Sequence, residues 1–280
     1  MIVTADAKLN LYLDITGRRS DGYHLLETVM QSVSLFDVLD INITEGEGIT
    51  VSCDAPDIPS DESNIAYKAA QRYLDAAGVK ARVDICIQKH IPSGAGMGGG
   101  SSDAAAVLTA MNRYFNNALS VEKLHGIASG LGADVPFCLV GGAKKCRGIG
   151  EVISPAPTIK RCAFLVVMPD FACATKDAYA RFDVTPIPPK SGINEFASQL
   201  GGNFEGRMYN TFEVLYSDKR IKLLKAELMR YGARGALLTG SGAAVFGVFD
   251  DEETANAAAK HFPLNFTAVC VPTEESIHFA

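Results

Sequence analysis

No stretch of about 18 apolar residues occurs in this chain, so nothing in it reads as a membrane-spanning helix. There is no C-x-x-C pair either. The seven cysteines, Cys53, Cys86, Cys138, Cys146, Cys162, Cys173 and Cys270, are odd in number and scattered, which argues against a disulfide framework or a zinc site. Cys86 and Cys138 sit in apolar runs and read as buried small hydrophobes. A reducing, cytoplasmic setting fits this usage. Positive charge is also in short supply: 26 Lys and Arg face 32 Asp and Glu, for a formal charge of −6. That disfavours a nucleic-acid partner. An acidic chain that binds an anion must do so locally, with backbone N–H groups and a few placed cations. The first residues, MIVTADAKLNLYLDI, carry no basic segment ahead of an apolar one and read as a strand, not a signal peptide.

What is present is ordinary soluble composition, with 48% hydrophobic and 21% charged residues. A length of 280 residues suits two domains. The proline-containing change of character at 154–161 divides them into 1–156 and 157–280. Residues 3–15 alternate like a strand, and 28–44 read as one or two strands with a turn near Phe36 and Asp37. Residues 46–62 read as loop, followed by a helix from Ser63-Asn64 to Gly78 and a strand at 83–91. Helices are expected at about 102–114 and 120–130, then a short segment and two strands within 131–154. The second half reads as a strand at 162–169, an irregular proline-rich stretch at 183–192, and helices at 194–200 and 218–231. Two strand runs within 236–249, a helix at 251–261 and a strand at 266–271 complete it.

The most informative stretch is PSGAGMGGGSSDAAAVLTAMN, residues 92–112. Five glycines within seven positions stand directly before a helix. Helix starts leave backbone N–H groups without partners and carry the positive end of the dipole. Glycines there admit positive φ and remove side chains that would keep an anion away. Strand, glycine-rich loop and helix therefore read as a phosphate cradle, with Ser101 and Ser102 adding hydroxyl donors. A Walker-type loop fails because no lysine follows the last glycine. A dinucleotide site would need a strand ending in an acidic residue near 118–124, which looks helical. A protein-kinase loop would sit in a hairpin, but here a helix follows. A flexible turn that merely caps a helix stays open.

The stretch resembles the phosphate loop of the GHMP kinases, and AKLNLYLDI and LLTGSGAAVFGVF agree with it. The segments GRRSDGYH and LGADVPF further resemble the 4-diphosphocytidyl-2-C-methyl-D-erythritol kinase family within that group, and the likeness runs from about residue 5 to 249. The resemblance implies an α+β two-domain fold. Its N-terminal domain would be like the second domain of ribosomal protein S5, its C-terminal domain ferredoxin-like, and the active site would lie in the cleft between them. It implies transfer of the γ-phosphoryl of ATP to a tertiary hydroxyl on a substrate that carries a cytidine diphosphate group. Magnesium would be held mainly by the ATP phosphates and water, with Ser102 or Asp134 as further oxygen donors; no acidic residue is dedicated to it. The chain could act as monomer or homodimer.

The resemblance also assigns residues. Asp134 becomes the base; its residues alone allow an N-cap or a buried ion pair equally well. Lys8 becomes its partner, and Asn10 the contact near the accepting hydroxyl. By strand period, Lys8, Asn10 and Tyr12 share one face, and Leu9, Leu11 and Leu13 the other. Tyr23 and His24 would take the cytosine, with Tyr179 as a second stacking face and Thr175 near the substrate phosphates. ATP would be held by Asn64, Lys89 and the loop Pro92, Ser93, Gly94, Ala95, Gly96, Met97, Gly98, Gly99, Gly100, Ser101 and Ser102. Gly240 and Ser241, with Gly242, form a second glycine turn that faces the cleft or simply joins two strands. Lys144 and Lys145 depart from the family pattern and read as surface charge. Another GHMP small-molecule kinase and a non-catalytic nucleotide or sugar-phosphate sensor are the alternatives; only a kinase needs the Lys8–Asp134 pair.

Overall fold

Two long antiparallel strands, β1 (Ile2–Arg18) and β2 (His24–Thr44), form the spine of the first sheet. The computed structural model describes all residues except 160, 172 and 217. β2 is continuous through Phe36 and Asp37, where the sequence led us to expect a turn. The chain there absorbs two extra residues, Ser34 and Leu35, between the pairs Ala7–Val33 and Asp6–Phe36. β4 (Arg82–Gln88) pairs with β2, and β3 (Gly48–Cys53) runs parallel to β4 inside the stretch read as loop. The hairpin β5 (Ala143–Arg147) and β6 (Val152–Pro155) extends from β2. Two later segments also join this sheet at β1: β8 (Tyr209–Asn210) and β12 (Ile277–Phe279).

Helices cover one face of that sheet. α1 (Ile65–Ala77) is capped by Asn64, whose side chain accepts the N–H of Ala66, and stops at Gly78 in the left-handed conformation. α2 (Gly99–Tyr114) begins three residues earlier than expected, so Gly99 and Gly100 form its first turn. α3 (Val121–Leu131) and the short α4 (Val135–Val140) follow; α4 is the short segment expected before the hairpin. The small residues Ala104, Ala105 and Ala106 of α2 are fully buried and let it lie close to α1 and the sheet. Cys86 does not belong to this core. It falls on the outward beat of β4 and is exposed, because Val83, Ile85 and Ile87 take the inward beat.

The second sheet has the order β11-β7-β10-β9, all antiparallel, from β7 (Ala163–Met168), β9 (Gly235–Leu238), β10 (Val245–Phe249) and β11 (Phe266–Cys270). In chain order this is 4-1-3-2, the ferredoxin-like arrangement, with α8 (Lys219–Arg230) before β9 and α9 (Glu252–Ala259) before β11. α5 (Thr175–Val184), α6 (Ile193–Ser198) and α7 (Thr211–Leu215) lie in the long connection after β7. Strand period decides the packing. Phe164 and Val166 of β7 face the first sheet, in one core with Ala7, Leu9 and Leu11. Leu165 and Val167 face Leu224, Leu228 and Ala255 of the helices. The two sheets therefore share a continuous apolar core.

Candidate active site

A β-bulge aims the first catalytic candidates. Asn10 pairs with Met30 and Tyr12 with Val29, leaving Leu11 as an extra residue on β1. The alternation resets there. Lys8, Asn10 and then Leu13 line a cavity of about 820 Å³ between the two halves, whereas Tyr12 turns into the core. Tyr12 packs on Phe196 at 5.4 Å between ring centroids and accepts the N–H of Gly192 at 3.0 Å. Strict alternation, which put Tyr12 beside Lys8, is thus corrected by one inserted residue.

Lys8 is nearly inaccessible, at 3% exposure, yet its ammonium is fully engaged. Nζ donates to Asn10 Oδ1 at 2.6 Å and to the Gly96 carbonyl at 2.9 Å, and lies 3.3 Å from Asp134 Oδ2. Asn10 in turn donates from Nδ2 to Thr28 Oγ1 at 2.9 Å, which fixes which end of its amide meets Lys8. Asp134 occupies the N-cap position of α4, but its side chain makes no capping bond. The carboxylate is about one-third exposed and opens onto the cavity. Of the two structural roles its sequence allowed, the cap is not realised; the ion pair with Lys8 is.

The glycine loop runs beside this pair in an alternating pattern. Gly94, Gly96 and Gly98 have φ of 65°, 77° and 75° and line the cavity. Ala95 and Met97, each 1% exposed, point the other way into the shared core. Main-chain bonds hold the loop on both sides: Lys8 N–H donates to Met97 O at 2.9 Å, and Ala244 N–H to Ala95 O at 3.3 Å. A Cβ at Gly96 would collide with the carbonyl of Thr239, so glycine is required there by space as well as by φ. Gly98 caps α2 without a side chain, and Gly99, Gly100 and Ser101 of the first turn face the cavity. A helix start without a side-chain cap leaves the N–H groups of its first turn free to meet an anion.

The second half closes the cavity. Thr175, at the start of α5, shares a 3.0 Å hydrogen bond with Ser241, and Gly240 lies beside it. At the far end, Tyr23 is 61% exposed while His24 is buried. His24 Nε2 lies 2.8 Å from Asp183, and its ring stacks on Tyr179 at 4.6 Å and 20°. Burial, with the Asp134 charge second, pushes the Tyr179 phenol upward, so that it stays neutral.

Several expected ATP contacts are placed elsewhere. The Asn64 side chain is consumed by its cap and by a 2.7 Å bond to the Pro59 carbonyl; its neighbour Ile65 lines the cavity instead. Pro92 and Ser93 do not line it. Ser102 is fully buried and donates to the Asp6 carbonyl at 2.7 Å, which removes it as a hydroxyl donor or magnesium ligand at the mouth. Lys89 lies beneath the loop with its ammonium between Asp37 and Asp103. In return, the fold brings in Arg18, Thr28, Lys176 and Asp183, which sequence reasoning passed over. Arg18 belongs to the GRRSDG turn that was noticed; Lys176 is an exposed helical lysine with no distinguishing pattern.

Comparison with known proteins shows the family to which the chain belongs. Residues 64–142 match the family described as GHMP kinases N terminal domain, and residues 193–267 match GHMP kinases C terminal. A 4-diphosphocytidyl-2-C-methyl-D-erythritol kinase of Clostridium perfringens is 40% identical over 264 residues, 92% of each chain. One of Clostridium tetani is 39% identical over 277 residues, covering 97% of this chain and 99% of that one. A crystal structure of 4-(cytidine 5'-diphospho)-2C-methyl-D-erythritol kinase superposes with a TM-score of 0.81 at 32% identity, over 96% of this chain and 99% of the other. A homoserine kinase structure from Cytophaga hutchinsonii, at 20% identity and a TM-score of 0.76 over 99% and 96% of the two chains, shares the fold. The chain belongs to the 4-diphosphocytidyl-2-C-methyl-D-erythritol kinase family of the GHMP kinases.

Proposed function

We propose that this protein transfers the γ-phosphoryl group of ATP to the 2-hydroxyl of 4-diphosphocytidyl-2-C-methyl-D-erythritol, a step of non-mevalonate isoprenoid precursor synthesis. The observation that carries the reading is the Lys8–Asp134 pair, 3.3 Å apart, in one cavity with an uncapped glycine-rich helix start. The triphosphate lies along Gly94, Gly96 and Gly98 to Ser101, held by main-chain N–H groups. The accepting hydroxyl sits at Asp134, which takes its proton as the oxygen attacks phosphorus. Lys8 orients that carboxylate and offsets charge on the transferring group. Asn10, its amide fixed by Thr28, positions the alcohol.

The cytidine end is read by Tyr23, His24 and Tyr179. With the Nε2 hydrogen of His24 given to Asp183, Nδ1 is left as an acceptor, which suits the exocyclic amine of cytosine. Thr175, Ser241 and the cations Arg18 and Lys176 surround the path of the diphosphate. Magnesium bound with ATP would neutralise phosphate charge; Asp134 and Ser101 are oxygen-bearing side chains of the cavity, beside the glycine loop, that would hold it. The test is a substrate panel with ATP and Mg²⁺, read as ADP release. Turnover is expected with the cytidylyl substrate and not with mevalonate or homoserine. The reverse pattern, or silence with all three, would refute the assignment.

A further inference from the structure

A buried charge cluster lies directly beneath the glycine loop and takes no part in the chemistry above. The Lys89 side chain, 7% exposed, follows β4, and its ammonium is held by Asp37 and, at 2.8 Å, by Asp103. Asp37, on β2, is completely buried, and its Oδ1 also accepts the main-chain N–H groups of His90 at 2.6 Å and Ile91 at 2.8 Å. Those two residues lead into Pro92 and the loop. Asp103 sits on α2, one helical turn beyond Gly99. A Cβ at Gly99 would stand only 3.1 Å from Lys89 Nζ, so the ammonium is packed against the underside of the loop. One positive group thus joins three things: the segment entering the loop, the loop floor, and the helix whose N-terminus faces the cavity.

Stability alone is a poor reason for this arrangement. Buried ion pairs return little more than their desolvation cost, and apolar replacements of similar volume are often neutral. Here two carboxylates share one ammonium. Burial opposes the Lys89 charge, but Asp103 and Asp37 outweigh it and raise its affinity for the proton. The second oxygen of Asp103 has no hydrogen-bond partner among the described residues. What the cluster supplies is a fixed relation between β2, the loop and α2.

We propose that Asp37, Lys89 and Asp103 form a positioning device for the ATP loop, which sets nucleotide affinity through loop geometry and without touching the nucleotide. This rests on the reading that ATP phosphates lie at the loop. It replaces the direct ATP contact that the sequence led us to expect of Lys89.

Two substitutions separate positioning from support. Asp103→Leu removes the tether to α2 and leaves one carboxylate facing one ammonium. Asp103→Asn keeps a carbonyl oxygen that accepts from Lys89. ATP Kd by calorimetry and ATP KM are expected to rise about tenfold in Asp103→Leu and to return to within about threefold of the parent in Asp103→Asn. The kcat at saturating ATP and the KM of the alcohol substrate should change less than about twofold. Should Asp103→Leu not fold, Lys89→Arg keeps the charge but swaps a compact ammonium for a planar fork, and is expected to weaken ATP similarly. A folded Asp103→Leu or Lys89→Arg protein with unchanged ATP Kd would overturn the proposal. The Kd readout needs no alcohol. A silent substrate panel with this affinity pattern intact would refute the substrate assignment and leave the positioning device standing.

Discussion

Gly100 offers a way to separate what the protein needs from what its ligand needs. It lies in the first turn of α2, exposed at the cavity wall, with helical backbone rather than positive φ. A Cβ added there would meet only Ile65 Cγ2, at 3.4 Å, an ordinary contact. By the protein's own packing, Gly100→Ala is therefore harmless. It should stabilise the fold by roughly 0.4–1 kcal/mol, through the smaller entropy of the unfolded chain, and raise Tm by about 1–3 °C. A triphosphate on that helix start would not tolerate it. There the methyl would crowd phosphate oxygens away from the first-turn N–H groups, and losing one charge-assisted hydrogen bond costs about 1.5–3 kcal/mol, or roughly 10- to 150-fold in Kd. The assay pairs a thermal melt with calorimetric titration of ATP. Gly126→Ala is the control: it is exposed on α3, with nothing within 4 Å of the new Cβ. It should gain similar stability and bind ATP as the parent does. If Gly100→Ala is stabilised but its ATP Kd stays within about twofold, the phosphates do not lie against this turn and the cradle reasoning fails.

Other expectations follow from the same geometry. Lys8→Met strips Asn10 Oδ1 and the Gly96 carbonyl of their buried donor and Asp134 of its counter-charge. It should lower kcat by about 10²–10³-fold in steady-state assays, and a loss under about fivefold would contradict the role given to it. Tyr179→Ala removes a ring that stacks on His24 and should raise KM for the cytidylyl substrate roughly 5- to 100-fold with ATP KM nearly unchanged; an equal rise in both would count against base recognition there. Stability should also respond to pH through Asp103, whose carboxyl burial pushes from 3.8 up to about 7, against the pull of Lys89. The folded chain then holds a proton that the unfolded chain has released, so stability falls as pH rises through that window. In Asp103→Asn the drop in Tm between about pH 5 and pH 8 should shrink; an unchanged drop would show that Asp103 is ionised throughout.

How much of this was legible beforehand depends on how local the cause is. The glycine loop was readable because positive φ at Gly94, Gly96 and Gly98 and an uncapped helix start follow from neighbouring residues alone. Helix α1 was readable from its apolar spacing, its Asn64 cap and its Gly78 stop. The direction of Tyr12 was not, because a single inserted residue at Leu11 resets the alternation without leaving any mark in composition. Strand β3 was missed because it pairs with a partner some thirty positions on and looks like loop in isolation. Lys89 was misplaced for the same reason: its two carboxylates lie 52 and 14 residues away, and only the fold brings them to one ammonium. Ser102 looked identical to Ser101, but the helix turns one hydroxyl to the cavity and the other to Asp6. The individual roles of Lys8, Asp134, Tyr23 and Tyr179 came from family resemblance; residue types alone left cap, core and surface readings open.

The pairing of a phosphate cradle with a carboxylate base is tested most directly by Asp134→Asn. The amide keeps the shape and an oxygen for Lys8 Nζ, now 3.3 Å from the carboxylate, but cannot accept the alcohol proton. With the cytidylyl substrate and saturating ATP, the rate of phosphoryl transfer should fall by at least about 10²-fold while calorimetry shows ATP bound within a few-fold of the parent. A transfer rate within about threefold of the parent, with the protein folded and ATP bound, would mean that the proton leaves by another route and that the site is not the one described.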